Sequence, residues 1–170
     1  FTRIETTIGA MIACAVEQCI CLLEYSDRRM LETEFKALTK LINAPIIQGE
    51  SKHFKILRLQ LNEYFEGKRK EFNLPLFTPG TEFQQQVWKE LQTIPYGLTR
   101  SYQQQANAIK KPKAVRAVAN ANGINRIAII VPCHRVIGSD GHLTGYGGGL
   151  WRKKWLLEHE QQNKQLKIKL

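Results

Sequence analysis

Val131-Pro132-Cys133-His134-Arg135 is the stretch on which the reading of this chain turns. Upstream of it, Ile127-Ala128-Ile129-Ile130 continues with Val131 as an apolar, largely β-branched run, which predicts a short buried strand over 127–131. Pro132 stops that strand because it has no N–H to give a ladder. A thiol, an imidazole and a guanidinium follow at once. A cysteine fixed where a strand ends at a rigid turn is held in one orientation, and cations beside it favour its thiolate. Cys-His adjacency by itself fits two readings: an inert cysteine beside a surface His-Arg pair, or an activated nucleophile.

Composition narrows the setting. The 170 residues are 43% hydrophobic, enough for one generous core or two small ones. No apolar run approaches the roughly 18 residues needed to span a membrane. The four cysteines at 14, 19, 21 and 133 have neither disulfide-framework nor zinc-ligand spacing, which points to a reducing cytoplasm. No histidine lies near the first three, so they read as small core residues rather than metal ligands. The net charge of +10 is uneven: 11 Lys/Arg stand against 10 Asp/Glu over 1–80, but 14 against 5 over 81–170. A phosphate-binding surface therefore belongs to the second half.

Taken in order, 4–24 reads as two strands around a turn at Glu17-Gln18, with all three N-terminal cysteines in the strands. Helical spacing covers 30–41 and 54–65. Pro75, Pro79 and Gly80 punctuate a linker. Thr81 caps the next helix, whose buried face carries Phe83, Val87, Trp88 and Leu91. Ile94-Pro95-Tyr96-Gly97 is a turn. Ser101 caps a helix over 102–109, and Pro112 suits the first position of another over 112–122. The latter presents Lys113, Arg116 and Asn120 on one side, so the pair reads as a helix-turn-helix with a basic second helix. Beyond the cysteine, Gly145-Tyr146-Gly147-Gly148-Gly149 lacks the context of a phosphate loop and suits close approach to a flat base. A last helix spans 151–160, with Trp155 and Leu156 inward, and the Gln/Lys-rich tail from Gln161 is expected to be frayed or disordered.

These blocks resemble the O6-alkylguanine-DNA alkyltransferases. The family signature Pro-Cys-His-Arg-Val stands at Pro132 to Val136. The resemblance extends through Phe83-Gln-Gln-Gln-Val-Trp88, Ile94-Pro-Tyr-Gly97, Ser101-Tyr102-Gln103, Pro112-Lys-Ala-Val-Arg-Ala-Val118, Gly145-Tyr146 and Trp155-Leu-Leu-Glu-His-Glu160, in family order, over roughly 78–160. It implies an α+β fold: an N-terminal ribonuclease-H-like lobe (1–74), a linker (75–80), and a mainly helical, winged-helix-like DNA-binding and catalytic domain with the helix-turn-helix (81–160), then a tail (161–170). Two positions depart from the family. Gln105 stands where an apolar residue usually packs, and Lys110 where a helix-ending glycine is common. The chain opens at Phe1 and not Met, which leaves open both a missing N-terminus and the C-terminal part of a longer protein, such as an adaptive-response (Ada-like) activator that fuses an alkyltransferase to a transcription factor.

The resemblance also implies a reaction and a partner. Cys133 takes an alkyl group from O6 of guanine, and by extension O4 of thymine, in duplex DNA, once and irreversibly, with no metal or other cofactor. His134 receives the thiol proton through a water, Glu160 orients the imidazole, Tyr102 serves the leaving guanine, and Asn125 braces the turn. Arg116 fills the gap left by the extruded nucleotide, from a helix in the minor groove. Lys113, Asn120, Arg135 and Tyr102 complete the expected DNA contacts, and Val136, Tyr146, Gly147 and Gly148 the base pocket. Three glycines after Tyr146 leave room there for adducts as large as benzyl. The expected molecule is a cytoplasmic monomer bound to DNA and not to membrane. Two other classes share part of this pattern. A DNA-binding protein that recognises alkylguanine without repairing it would lack the cysteine; a cysteine hydrolase would not need the Arg116 helix or the basic second half.

Overall fold

The computed structural model describes residues 1–164. They form two compact units, Phe1–Pro79 and a second that opens at Gly80.

The first unit is built on a three-stranded antiparallel sheet in the order β1 (Thr2–Ile4), β2 (Met11–Ala15), β3 (Ile20–Tyr25). Its register pairs Thr2 with Ala13 and Cys14 with Leu22, with a bulge between Cys14 and Ala15. Sequence reading found β2 and β3 but not β1, whose three residues are too short to show an alternation. Strand β2 is buried from Met11 to Cys14 on both faces. Helix α1 (Leu31–Ile42) sets Leu38, Leu31 and Phe35 against Ile12, Cys14 and Leu22. Helix α2 (Lys52–Phe65) buries Phe54, Leu57, Leu61 and Tyr64. Its Ser51 cap accepts from His53 N–H, and His53 Nε2 reaches the Glu17 carbonyl at 3.1 Å, tying the hairpin turn to the helix.

Cys14 and Cys21 are core residues; burial pushes their thiols up to about 12 and about 11. Cys19 corrects the expectation, since it sits half-buried in the bend between β2 and β3 rather than in a strand.

In the second unit, α3 (Glu82–Leu91), α4 (Tyr102–Ala108) and α5 (Val115–Gly123) pack on one another. Capping boxes open the first two, through Thr81 with Gln84 and Ser101 with Gln104. Trp88 Nε1 donates to the Ala121 carbonyl at 2.9 Å, joining α3 to α5. The departure at Gln105 is answered by pairing: fully buried, it exchanges amide bonds with Asn122 at 3.1 and 2.7 Å. Lys110, where a glycine was expected, takes the left-handed conformation (φ 59) and ends α4 regardless. Helix α5 begins three residues later than the spacing suggested. Pro112 and Lys113 lie in the preceding turn, because Ala114 N–H already bonds back to Lys111 O.

Two-residue strands β4 (Arg100–Ser101) and β5 (Val136–Ile137) pair in parallel, and α6 runs from Leu150 to Lys164. Gln161 to Lys164 are thus helical, against the expected fraying; 165–170 lie outside the described residues. No helix of the described residues is long and apolar enough to cross a membrane.

Candidate active site

The segment before the cysteine is buried as expected, but it is not a strand. Ile129 has φ 71, and Ile130 N–H bonds the Ala128 carbonyl at 2.8 Å, a tight γ-turn centred on a β-branched residue. Val131 N–H returns to Ile127 O at 3.0 Å, and Cys133 N–H to Val131 O at 2.8 Å. Such a backbone costs on the order of 1–3 kcal/mol and persists only where its surroundings over-determine it. Asn125 does so here. Its Nδ2 donates to Val131 O at 2.8 Å and its Oδ1 accepts Ile127 N–H at 3.0 Å. The same Nδ2 lies 3.2 Å from Cys133 Sγ, so the brace of the turn also offers the sulfur an N–H.

Cys133, His134 and Arg135 form a single 3₁₀ turn. The thiol is half-buried, whereas His134 is fully buried. His134 Nε2 lies 2.7 Å from Glu160 Oε1. An imidazole beside a carboxylate donates through that nitrogen, which leaves Nδ1 as the acceptor. Nδ1 is buried and has no hydrogen-bond partner among the described residues. Burial pushes the His134 pKa down; Glu160 opposes this, and Arg135 and Lys153 add to it. Burial also resists ionisation of Glu160, but His134 and Arg135 outweigh it and hold this carboxyl well below the usual range.

Arg135 is placed otherwise than sequence reading put it. Its guanidinium is buried on Glu160, with Nε at 2.9 Å from Oε2 and Nη2 at 3.0 Å from Oε1, and Nη1 donates to Ile94 O at 2.6 Å. It has no surface to offer DNA. Gly97 closes the arrangement: its N–H donates to Glu160 Oε2 at 3.0 Å. At φ 72 a Cβ on Gly97 would come within 3.2 Å of the Glu160 carbonyl, so the Ile-Pro-Tyr-Gly turn needs its glycine.

Cys133 lines a cleft of about 350 Å³. Tyr102, Arg116, Tyr146 and Gly147 share its wall, as the sequence suggested. Asn122 lines it too, fixed by Gln105. Two expected pocket residues do not line it. Val136 is fully buried in β5, and its N–H is spent on Cys133 O. Gly148 is buried, with its carbonyl accepting from Arg152 at 2.9 Å. Lys113, Arg116 and Asn120 are all exposed, though only Arg116 reaches the cleft.

Lys153 is the site residue that sequence reading missed. It is fully buried, and its ammonium donates to Thr144 O at 2.9 Å and Gly145 O at 3.2 Å, and lies 3.5 Å from the Tyr102 hydroxyl. The hydroxyl in turn donates to Thr144 O at 2.9 Å. Burial brings the lysine down to about 8, with the Cys133 charge acting in the opposite sense. One signal was available: Lys153, Leu156 and Glu160 share one face of α6.

Comparison with known proteins decides the family. The model of the 6-O-methylguanine DNA methyltransferase ribonuclease-like domain matches residues 1–78, and that of its DNA-binding domain matches 82–162. The crystal structure of Mycobacterium tuberculosis OGT in complex with DNA superposes with a TM-score of 0.81 at 44% identity, over 95% of this chain and 92% of that one. The chain belongs to the O6-methylguanine-DNA methyltransferase family. The methylated-DNA–protein-cysteine methyltransferase of M. tuberculosis H37Rv is 63% identical over 102 residues, 60% of this chain and 62% of that protein. The bifunctional transcriptional activator/DNA repair enzyme Ada of Escherichia coli K12 is 43% identical over 95% of this chain, which spans 45% of Ada. Within this methyltransferase family, the buried Gln105–Asn122 amide pair is how this member fills a site that sequence comparison marked as apolar.

Proposed function

We propose that this chain repairs DNA by moving the alkyl group from O6 of guanine, and by extension from O4 of thymine, to its own Cys133. The observation that carries the reading is the succession of three features. A half-buried thiol lines the cleft, the next residue is a buried imidazole whose Nδ1 has no hydrogen-bond partner among the described residues, and a carboxylate holds the imidazole's other nitrogen.

The chemistry follows from these positions. The thiol proton passes to His134 Nδ1, through a water where the direct reach is too long, and the imidazolium is stabilised by Glu160. Asn125 Nδ2 gives the developing thiolate a hydrogen bond. The thiolate sulfur displaces guanine from the alkyl carbon: the S–C bond forms, the C–O6 bond breaks, and its electron pair stays with the base. The base then needs a proton or hydrogen bond on its ring, and Tyr102 on the cleft wall gives it by turning its O–H from Thr144 O, which Lys153 continues to satisfy. The product is a thioether. No second nucleophile faces it among the cleft residues, so each molecule acts once.

The target atom faces the interior of a duplex, so the nucleotide must leave the stack before Cys133 can reach it. Arg116, exposed on α5 and lining the cleft, fills the gap in the minor groove, while the exposed Lys113 and Asn120 hold phosphates. The basic second half supplies the non-specific affinity. The first unit serves as scaffold without chemistry of its own, and the chain works in the cytoplasm with DNA as its partner.

The test is Cys133→Ala with a duplex carrying one O6-methylguanine. Transfer is lost while duplex affinity stays within about threefold, because affinity comes from phosphate contacts. Residual transfer through Cys14, Cys19 or Cys21 refutes the assignment.

A further inference from the structure

A buried carboxylate bonded to an imidazole ordinarily draws a proton onto it. A histidine protonated in advance has no lone pair left and cannot relieve a thiol of its proton. A Glu-His pair beneath a nucleophile is therefore useful only if something keeps the imidazole neutral at rest.

Here the carboxylate is shared. Arg135 meets both oxygens of Glu160 fork to fork, Nε on Oε2 at 2.9 Å and Nη2 on Oε1 at 3.0 Å, and its third nitrogen is anchored on Ile94 O at 2.6 Å. The side chains of His134 and Glu160 are 0% exposed and that of Arg135 8%, so water screens none of these charges. We infer that Arg135 is a positioning residue for the transfer: by offsetting the Glu160 charge its guanidinium lets burial hold resting His134 as a neutral base, with Nε2–H on Glu160 and the lone pair on Nδ1.

The remaining charges around His134 agree with this. Glu160 and Lys153 act on it from α6 and Arg135 from its own turn, and the Tyr96 phenol borders Glu160 and Arg135. Two cations oppose one carboxylate there. An imidazolium added alone makes the cluster more positive, whereas one formed together with the Cys133 thiolate leaves the total unchanged. Proton transfer from the thiol is thus the route by which His134 becomes charged. Arg135 follows Cys133 by two residues, so the turn that presents the nucleophile also delivers the charge that tunes its base.

The inference rests on the transfer reading for the fate of the proton, but the state of His134 can be read without it. The measurement is nitrogen NMR of ring-labelled histidine in the whole protein, across pH 5.5 to 8. The wild type should show His134 neutral, with the proton on Nε2, over this range. In Arg135→Met the His134 midpoint should rise by at least one pH unit. The acidic limb of the transfer rate should move with it, by the same number of pH units. Arg135→Lys keeps the charge but loses the fork, and should fall between. A wild-type His134 already protonated at pH 7, or an Arg135→Met midpoint that does not move, overturns the inference. Should Arg135→Met fail to fold, the wild-type titration alone decides: a midpoint at or above an ordinary histidine's overturns it. If His134 behaves as expected in both proteins and neither accepts an alkyl group, the transfer reading fails and this one stands.

Discussion

Replacing Glu160 by Gln tests the centre of the site with a change of one atom. The carboxylate accepts four N–H groups: His134 Nε2 at 2.7 Å, Arg135 Nε and Nη2 at 2.9 and 3.0 Å, and Gly97 N at 3.0 Å. An amide keeps one acceptor oxygen and turns an NH₂ toward donors that want an anion. Arg135 is then a buried cation without its partner. Breaking a buried pair from one side costs about 3–5 kcal/mol, and the variant should lose about that much in urea denaturation at pH 7, a large share of a typical total.

The pH dependence has a definite sign. Glu160 is held below its unfolded value, so its stabilisation is fully present above about pH 5 and is lost as pH falls below about 4. The gap between wild type and Glu160→Gln should therefore narrow between pH 5 and pH 3. Transfer in the variant should slow with duplex affinity retained. A loss under about 1 kcal/mol at pH 7, or a gap independent of pH, would show that Glu160 is not the ionised partner described here.

Three further outcomes follow from neighbouring contacts. Gln105→Leu strands the buried Asn122 amide and should cost about 1–3 kcal/mol; Gln105→Leu with Asn122→Leu should cost less than the sum of the single changes, and additivity in urea denaturation would mean the two amides are not coupled. Arg116→Ala should slow repair of duplex far more than reaction with free alkylguanine, and equal losses on both would remove Arg116 from the extrusion step. With no side chain on Gly147, the cleft should accept benzyl adducts, and Gly147→Trp should suppress benzyl transfer more than methyl transfer; Gly148→Trp, at a buried position, should instead destabilise the protein, and a Gly147→Trp variant as tolerant as the wild type refutes this account of the wall.

Much of the fold was legible because its helices announce their ends. Thr81 and Ser101 cap where the sequence placed them, and the apolar spacing of α1 to α3 is regular. The cysteine, histidine, glutamate and tyrosine proposed for the site were reached through the family resemblance that their motifs carry. What was not legible has physical causes. An apolar run shows burial but not backbone, and nothing in Ile-Ala-Ile-Ile-Val announces the positive φ at Ile129 that Asn125 enforces from outside the run. Arg135 reads as a surface cation because arginines mostly are, and only the fold reveals Glu160 opposite it. Lys153 escaped because buried charges on α6 replace the apolar stripe by which a buried face is recognised. Gln105 looked like a misfit until the fold set Asn122 across from it, 17 residues on.

The most direct measurement is the intact mass of the protein before and after incubation with excess duplex carrying a single O6-methylguanine, followed by peptide mapping. The account predicts a gain of one methyl group per molecule, located on Cys133, that survives removal of the DNA and is not exceeded on longer incubation. An unchanged mass with the duplex bound, a methyl group on Cys14, Cys19 or Cys21, or continuing turnover at constant protein mass would contradict it.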